Sequence, residues 1–169
     1  MANPLYGQNK ADDRLDRLKS GKALGVIEVN DDYTMVADDV GKLMVLGTAA
    51  KTITLPSAVA GMVVDVLCKV ETSAGSTIIA SSGDCFFGNV IVVSTTEEQT
   101  EAQHITYATA TGTVTSYDNF DLVHDAAALG GHVGDTMRFT AIDDTAWCVH
   151  ATLTTDHANP ASIAVINAG

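Results

Sequence analysis

From Gly25 onward the apolar residues recur in steps of two, and short clusters of Gly, Asp, Asn and Ser interrupt them again and again. A period of two places alternate side chains on opposite faces of an extended chain, and no helix can use it to build an apolar stripe. The run Met62 to Val70 states the pattern most clearly: Val64, Val66, Cys68 and Val70 share one face, with Asp65 and Lys69 on the other. In Thr52-Ile53-Thr54-Leu55, Ile53 and Leu55 alternate with threonines before Pro56 ends the segment. Near the end, Trp147, Val149, Ala151 and Leu153 oppose Cys148, His150 and Thr152, which makes Trp147 the expected core anchor of the C-terminal half.

The same reading predicts strands at 25–29, 33–37, 43–46, 77–80, 85–87, 90–93, 104–108, 113–115, 120–123 and 136–142, and a closing strand at 163–166. The polar stretch Ser94–Gln103, with Glu97, Glu98 and Glu101, reads as the longest loop, carrying one helical turn. Asp125-Ala126-Ala127-Ala128-Leu129-Gly130 has a cap residue, helix formers and a glycine stop, so another helical turn is expected there. Many short strands without a long helix predict an all-β body. Its expected form is a compact antiparallel β-sandwich or barrel, jelly-roll-like, spanning residues 25–169 as a single domain.

Residues 1–24 follow different rules. Asn3-Pro4-Leu5-Tyr6-Gly7 is restricted to extended or turning backbone by its proline. A short helix is expected next, capped by Asp12, with Leu15 and Leu18 on one face, Lys19 in the last turn and Gly21 at the stop. So few residues make no stable helix alone, so the segment is expected to be an arm that orders by docking. Its candidate partner-binding residues are Leu5, Tyr6, Leu15 and Leu18 as apolar anchors, with Arg14, Arg17 and Lys19 as cations.

Charge separates arm from body. The formal net charge is −12, yet residues 1–22 hold five cations against three acids, and the rest of the chain holds four against eighteen. A strongly acidic body excludes a phosphate-binding surface, so nucleic acid is not an expected partner; nor is an anionic membrane. No run of eighteen apolar residues is present, and the start of the chain lacks a secretory leader pattern. Charged residues make up only 18%, and the surface is filled instead by 20 Thr, 14 Gly and 23 Ala.

A search for chemistry returns turns and packing. Cys68, Cys85 and Cys148 are odd in number, far apart and without a Cys-x-x-Cys pair, so neither a disulfide framework nor a zinc ribbon is expected. The adjacent acids Asp12-Asp13, Asp31-Asp32, Asp38-Asp39 and Asp143-Asp144 read mainly as residues that bond their own backbone in turns. Cys148 and His150 share a strand face and form half of a metal site, but no second pair at a readable spacing completes it. Gly130-Gly131-His132-Val133-Gly134 has the wrong spacing for a dinucleotide or phosphate loop. The expectation is a non-enzymatic protein without cofactor or metal.

The order of segments carries a resemblance. Tyr33-Thr34-Met35-Val36-Ala37, Gly41-Lys42-Leu43-Met44-Val45-Leu46, Thr52-Ile53-Thr54-Leu55-Pro56 and Gly61-Met62-Val63-Val64 come in succession. Thr77-Ile78-Ile79-Ala80 with Gly83-Asp84, then Gly134-Asp135 and Trp147-Cys148-Val149, follow them. This succession resembles small virion structural proteins of tailed bacteriophages, the capsid decoration (cement) proteins and tail-fibre modules. The resemblance implies an all-β subunit, commonly trimeric, with no catalytic residues to carry over. It implies a major capsid protein and further copies of the same chain as partners, on the outer surface of a virion assembled in the host cytoplasm. A decoration protein is the first expectation; a tail-fibre or knob module touching the host is the second; a carbohydrate-binding or enzymatic β domain is the third.

Overall fold

The computed structural model describes residues 25–95, 100–105, 117–123, 130–156 and 165–167. Twelve strands account for most of them: β1 Val26–Val29, β2 Tyr33–Thr34, β3 Leu43–Leu46, β4 Thr52–Thr54, β5 Val63–Cys68, β6 Ser76–Ile79, β7 Cys85–Ser94, β8 Thr100–Ile105, β9 Asn119–Leu122, β10 Thr136–Ala141, β11 Ala146–Thr155 and β12 Ile166–Asn167. One 3₁₀ turn at Ala37–Asp39 is the sole helical element among the described residues. The all-β expectation holds.

Strand sense departs from expectation. The strands form a seven-stranded sheet in the order β1-β3-β5-β10-β11-β7-β8 and a five-stranded sheet in the order β12-β9-β6-β4-β2. From β1 to β7 the chain crosses from one sheet to the other at every step, so β1, β3 and β5 run parallel in the first while β2, β4 and β6 run parallel in the second. β7 also runs parallel to β11. The antiparallel arrangement is therefore corrected to two sheets of mixed sense. The physical reason lies in the connections: from β1 to β7, Asn30-Asp31-Asp32 and its counterparts turn the chain toward the opposite sheet and do not close hairpins, so consecutive strands there are not hydrogen-bonded neighbours, whereas β7–β8 and β10–β11 do pair antiparallel.

Three of these connections share one device. Met62 N–H donates to Val59 carbonyl, Asp84 N–H to Ser81 carbonyl and Asp135 N–H to His132 carbonyl, each closing a four-residue turn just ahead of β5, β7 or β10. The third position is Gly61, Gly83 or Gly134, each at positive φ, where an L side chain is strained.

The inward faces of the two sheets build one apolar core. Phe139 on β10 sits 5.4 Å, ring centre to ring centre, from both Phe86 on β7 and Phe120 on β9, so the two sheets touch through these rings. Burying each ring contributes about 1.5–3 kcal/mol, and each aromatic pair adds about 0.5–1.5 kcal/mol. Val64, Val66 and Cys68 point inward while Asp65 stays half-exposed, as the alternation requires. Trp147 is fully buried, as expected of an anchor.

Two further differences have local causes. The sequence suggests separate strands at 85–87 and 90–93, yet β7 runs unbroken for ten residues through Gly88. Gly88 adopts φ +129, and a Cβ there would strike the backbone of Val149 on β11, so the glycine is what allows these two strands to pair. Residues 100–103, expected in a loop, form β8 because β7 offers them a partner edge. The helical turn expected at 125–129 lies outside the described residues, as do 106–108, 113–115 and 163–164, while Ile166 of the expected closing strand begins β12.

Candidate functional site

The predicted partner-binding residues Leu5, Tyr6, Arg14, Leu15, Arg17, Leu18 and Lys19 all lie outside the described residues. The described body begins at Gly25, whose carbonyl accepts a hydrogen bond from Leu43 N–H at 3.0 Å. Gly25 leads into β1, the edge strand of the seven-stranded sheet.

Each lysine and arginine among the described residues is bound to a carboxylate. Lys42 Nζ reaches Asp39 at 2.8 Å, Lys69 Nζ reaches Glu28 at 2.6 Å, Lys51 Nζ reaches Asp31 at 3.6 Å, and Arg138 makes a fork on Asp65 at 2.7 and 3.0 Å. Four cations face fifteen acidic residues, so the described body carries a net charge of −11. Its positive charge is spent internally.

The outer face of the seven-stranded sheet carries a depression of ≈ 570 Å³ lined by residues of β3, β5, β7, β10 and β11. Register fixes its rows. One runs Leu43, Asp65, Arg138, His150, Asn89 and His104 from β3 to β8; the next runs Glu28, Val45, Leu67, Thr136, Thr152 and Ile91 from β1 to β7. The first row is polar and tied together, with His104 Nδ1 2.5 Å from Asn89 Oδ1 beside the Arg138–Asp65 fork. Its borders are apolar. β3 reads Leu-Met-Val-Leu and β7 contains Val-Ile-Val-Val, runs that suit strands covered on both faces.

The chemical pairs singled out from the sequence resolve into structural roles. Asp32 Oδ1 accepts Thr52 N–H at 2.9 Å, and Asp143 Oδ1 accepts both N–H and O–H of Thr145, so these acids hold turns. Cys148 Sγ lies 3.5 Å from His150 Nε2. Among the described residues no group of three or more His, Cys, Asp or Glu comes together in a metal-holding arrangement. Asp12, Asp13, His124 and His157 lie outside the described residues.

Sequence reasoning missed three buried carboxylates. Asp39, 5% exposed, accepts from Tyr33 O–H, Val36 N–H and Lys42 Nζ. Burial pushes its pKa up, but the Lys42, Val36 and Tyr33 hydrogen bonds together hold it below the ordinary value. Asp84 accepts Ala58 N–H at 2.8 Å. Asp135 accepts Gly131, His132 and Thr154 N–H as well as Thr154 O–H, and so fastens the loop before β10 to β11. The signal was the Gly-Asp pair at 83–84 and 134–135: glycine makes the turn and the aspartate collects the freed amides.

No protein-family model matches the chain, and no curated protein is similar to it. Among the described residues no helix is long and apolar enough to cross a membrane.

Proposed function

We propose that this chain is a non-enzymatic structural subunit of a tailed-phage virion, a decoration protein that binds the outer surface of the head and stabilises it as a trimer. The two sheets would form the sandwich of a rigid body, and residues 1–24 the arm that attaches it to the major capsid protein. The observation that supports this most is the partition of charge. With all four described cations already neutralised and a net −11 around them, close approach to another acidic subunit is opposed, at a range of about 8 Å at physiological ionic strength. The arm is the part of the chain with positive excess, and it also carries Leu5, Tyr6, Leu15 and Leu18. Burying four such side chains would contribute roughly 1.5–3 kcal/mol each before the cost of ordering, more than exposed ion pairs at about 0–1 kcal/mol each. Apolar anchors would hold the arm while Arg14, Arg17 and Lys19 orient it.

The test is binding of the purified chain to emptied heads, imaged by electron microscopy, with full-length protein beside a variant lacking residues 1–24. The full chain should coat and stabilise the heads and the shortened one should leave them bare; equal coating by both would refute the role of the arm. One observation favours a second reading. Parallel strands wound alternately through two sheets, as in β1–β6, are also the geometry of elongated solenoids, which suits a fibre module touching the host. Binding to host cells and not to heads would select it.

A further inference from the structure

We propose that the outer face of the seven-stranded sheet is the surface through which copies of this chain bind one another. The inference names the surface for the self-association proposed above and rests on that part of the reading, not on capsid binding. Three observations carry it. Exposed apolar residues flank the polar row of this face, where a sheet open to water would alternate to polar: Val26 on β1 is 58% exposed beside Leu43, and Ile91 on β7 is 40% exposed, on strands whose opposite faces already fill the core. Its extent suits a stable contact. Seven strands spaced about 4.8 Å apart and about 13–33 Å long offer roughly 700 Å², against the roughly 800 Å² per partner of a standard interface.

Charge then selects the occupant. The described charged side chains here are Glu28 with Lys69 and Asp65 with Arg138, two matched pairs that sum to zero on a body of −11. A basic partner would be drawn instead to the acidic turns at Asp31, Asp32, Asp38, Asp143 and Asp144. For two equally acidic bodies this neutral face, its Arg138 and Asp65 already neutralising each other, is where approach is opposed least. A second copy therefore fits this face better than a cationic protein does.

Light scattering during gel filtration of the full chain tests this, with Ile91→Glu and Thr136→Lys in the face and Val36→Glu as the control. Val36 is 58% exposed and follows β2 of the five-stranded sheet, away from the face. Wild type and Val36→Glu should elute as a multiple of 17.6 kDa at micromolar concentration, and Ile91→Glu and Thr136→Lys as 17.6 kDa species with wild-type circular dichroism. Should Ile91→Glu lose its fold, the exposed Thr136→Lys decides. A monomeric wild type, or folded face variants that keep the wild-type mass, overturns the inference. Assemblies that stay intact yet fail to coat heads refute the decoration reading and leave this one standing.

Discussion

Replacing Asp135 with alanine should cost the body about 3–4 kcal/mol, a large share of the roughly 5–15 kcal/mol that holds a domain together. The carboxylate is 4% exposed and accepts from four donors: Gly131 N–H at 2.8 Å, His132 N–H at 3.0 Å, Thr154 N–H at 2.9 Å and Thr154 O–H at 2.7 Å. Alanine leaves all four without an acceptor. His132 is half-exposed and recovers water, and the Thr154 hydroxyl can rotate. Gly131 and Thr154 N–H are the donors left to lose, at about 1–3 kcal/mol each, offset in part by no longer burying a charge. Gly131 cannot move to relieve this, because Thr72 O–H donates to its carbonyl and a Cβ at Gly131 would already strike Thr72. Urea unfolding followed by the fluorescence of Trp147, the sole tryptophan and fully buried, measures the loss. With slopes of about 1–3 kcal/mol per molar urea, the midpoint should fall by about 1–4 M. Asp135→Asn keeps one acceptor oxygen and should lose about half as much. A loss below about 1 kcal/mol in the alanine variant would show that water replaces the carboxylate, and the reasoning from buried donors would be wrong.

Other sites give separate tests. Gly88→Ala should destabilise by about 3 kcal/mol or more, since the added carbon meets Val149 backbone and no rotamer relieves it; an unfolding midpoint near wild type would contradict the close β7–β11 pairing. Asp39 has a native pKa held below its unfolded value of 3.8, so its contribution is present above that value and is lost as pH falls through the native one; Asp39→Asn should flatten the acid limb of stability below about pH 4, read by urea midpoints across pH. The Cys68 thiol is pushed up to about 12, by burial first and then by the charge of Asp135. A thiol reagent at pH 8 should therefore label at most Cys85 and Cys148 in the native protein and all three after denaturation, whereas three fast-reacting native thiols would rule out the burial of Cys68.

What the sequence discloses about this fold is which way each side chain faces. Period two placed Val64, Val66 and Cys68 inside and Asp65 outside, and it split β11 into Trp147, Val149 and Leu153 within and His150 and Thr152 without. That signal is local, because the pleat alone sets it. Partners are not local. Whether Asn30-Asp31-Asp32 closes a hairpin or sends the chain to a second sheet depends on where β3 later finds room, and the same three polar residues suit either outcome. Gly88 misled for the same reason: in the sequence it looks like a break, and only the approach of Val149, sixty-one residues away, turns it into a requirement of the strand.

The candidate surface was half visible in the same sense. Leu-Met-Val-Leu at 43–46 and Val-Ile-Val-Val at 90–93 have apolar residues at both parities, which a strand covered on one face does not need. Read singly, each run is an ordinary core strand. Once the register places Leu43 and Ile91 on the outer side of one sheet, the surplus parity becomes a property of a surface, and a surface that remains apolar outside a filled core calls for something to cover it. Charge sharpens that demand, because the same residues lie on the stretch of a −11 body where cations and acids cancel. Apolarity and neutrality arise from different residues, and the proposed contact with a like-charged copy needs both on one face.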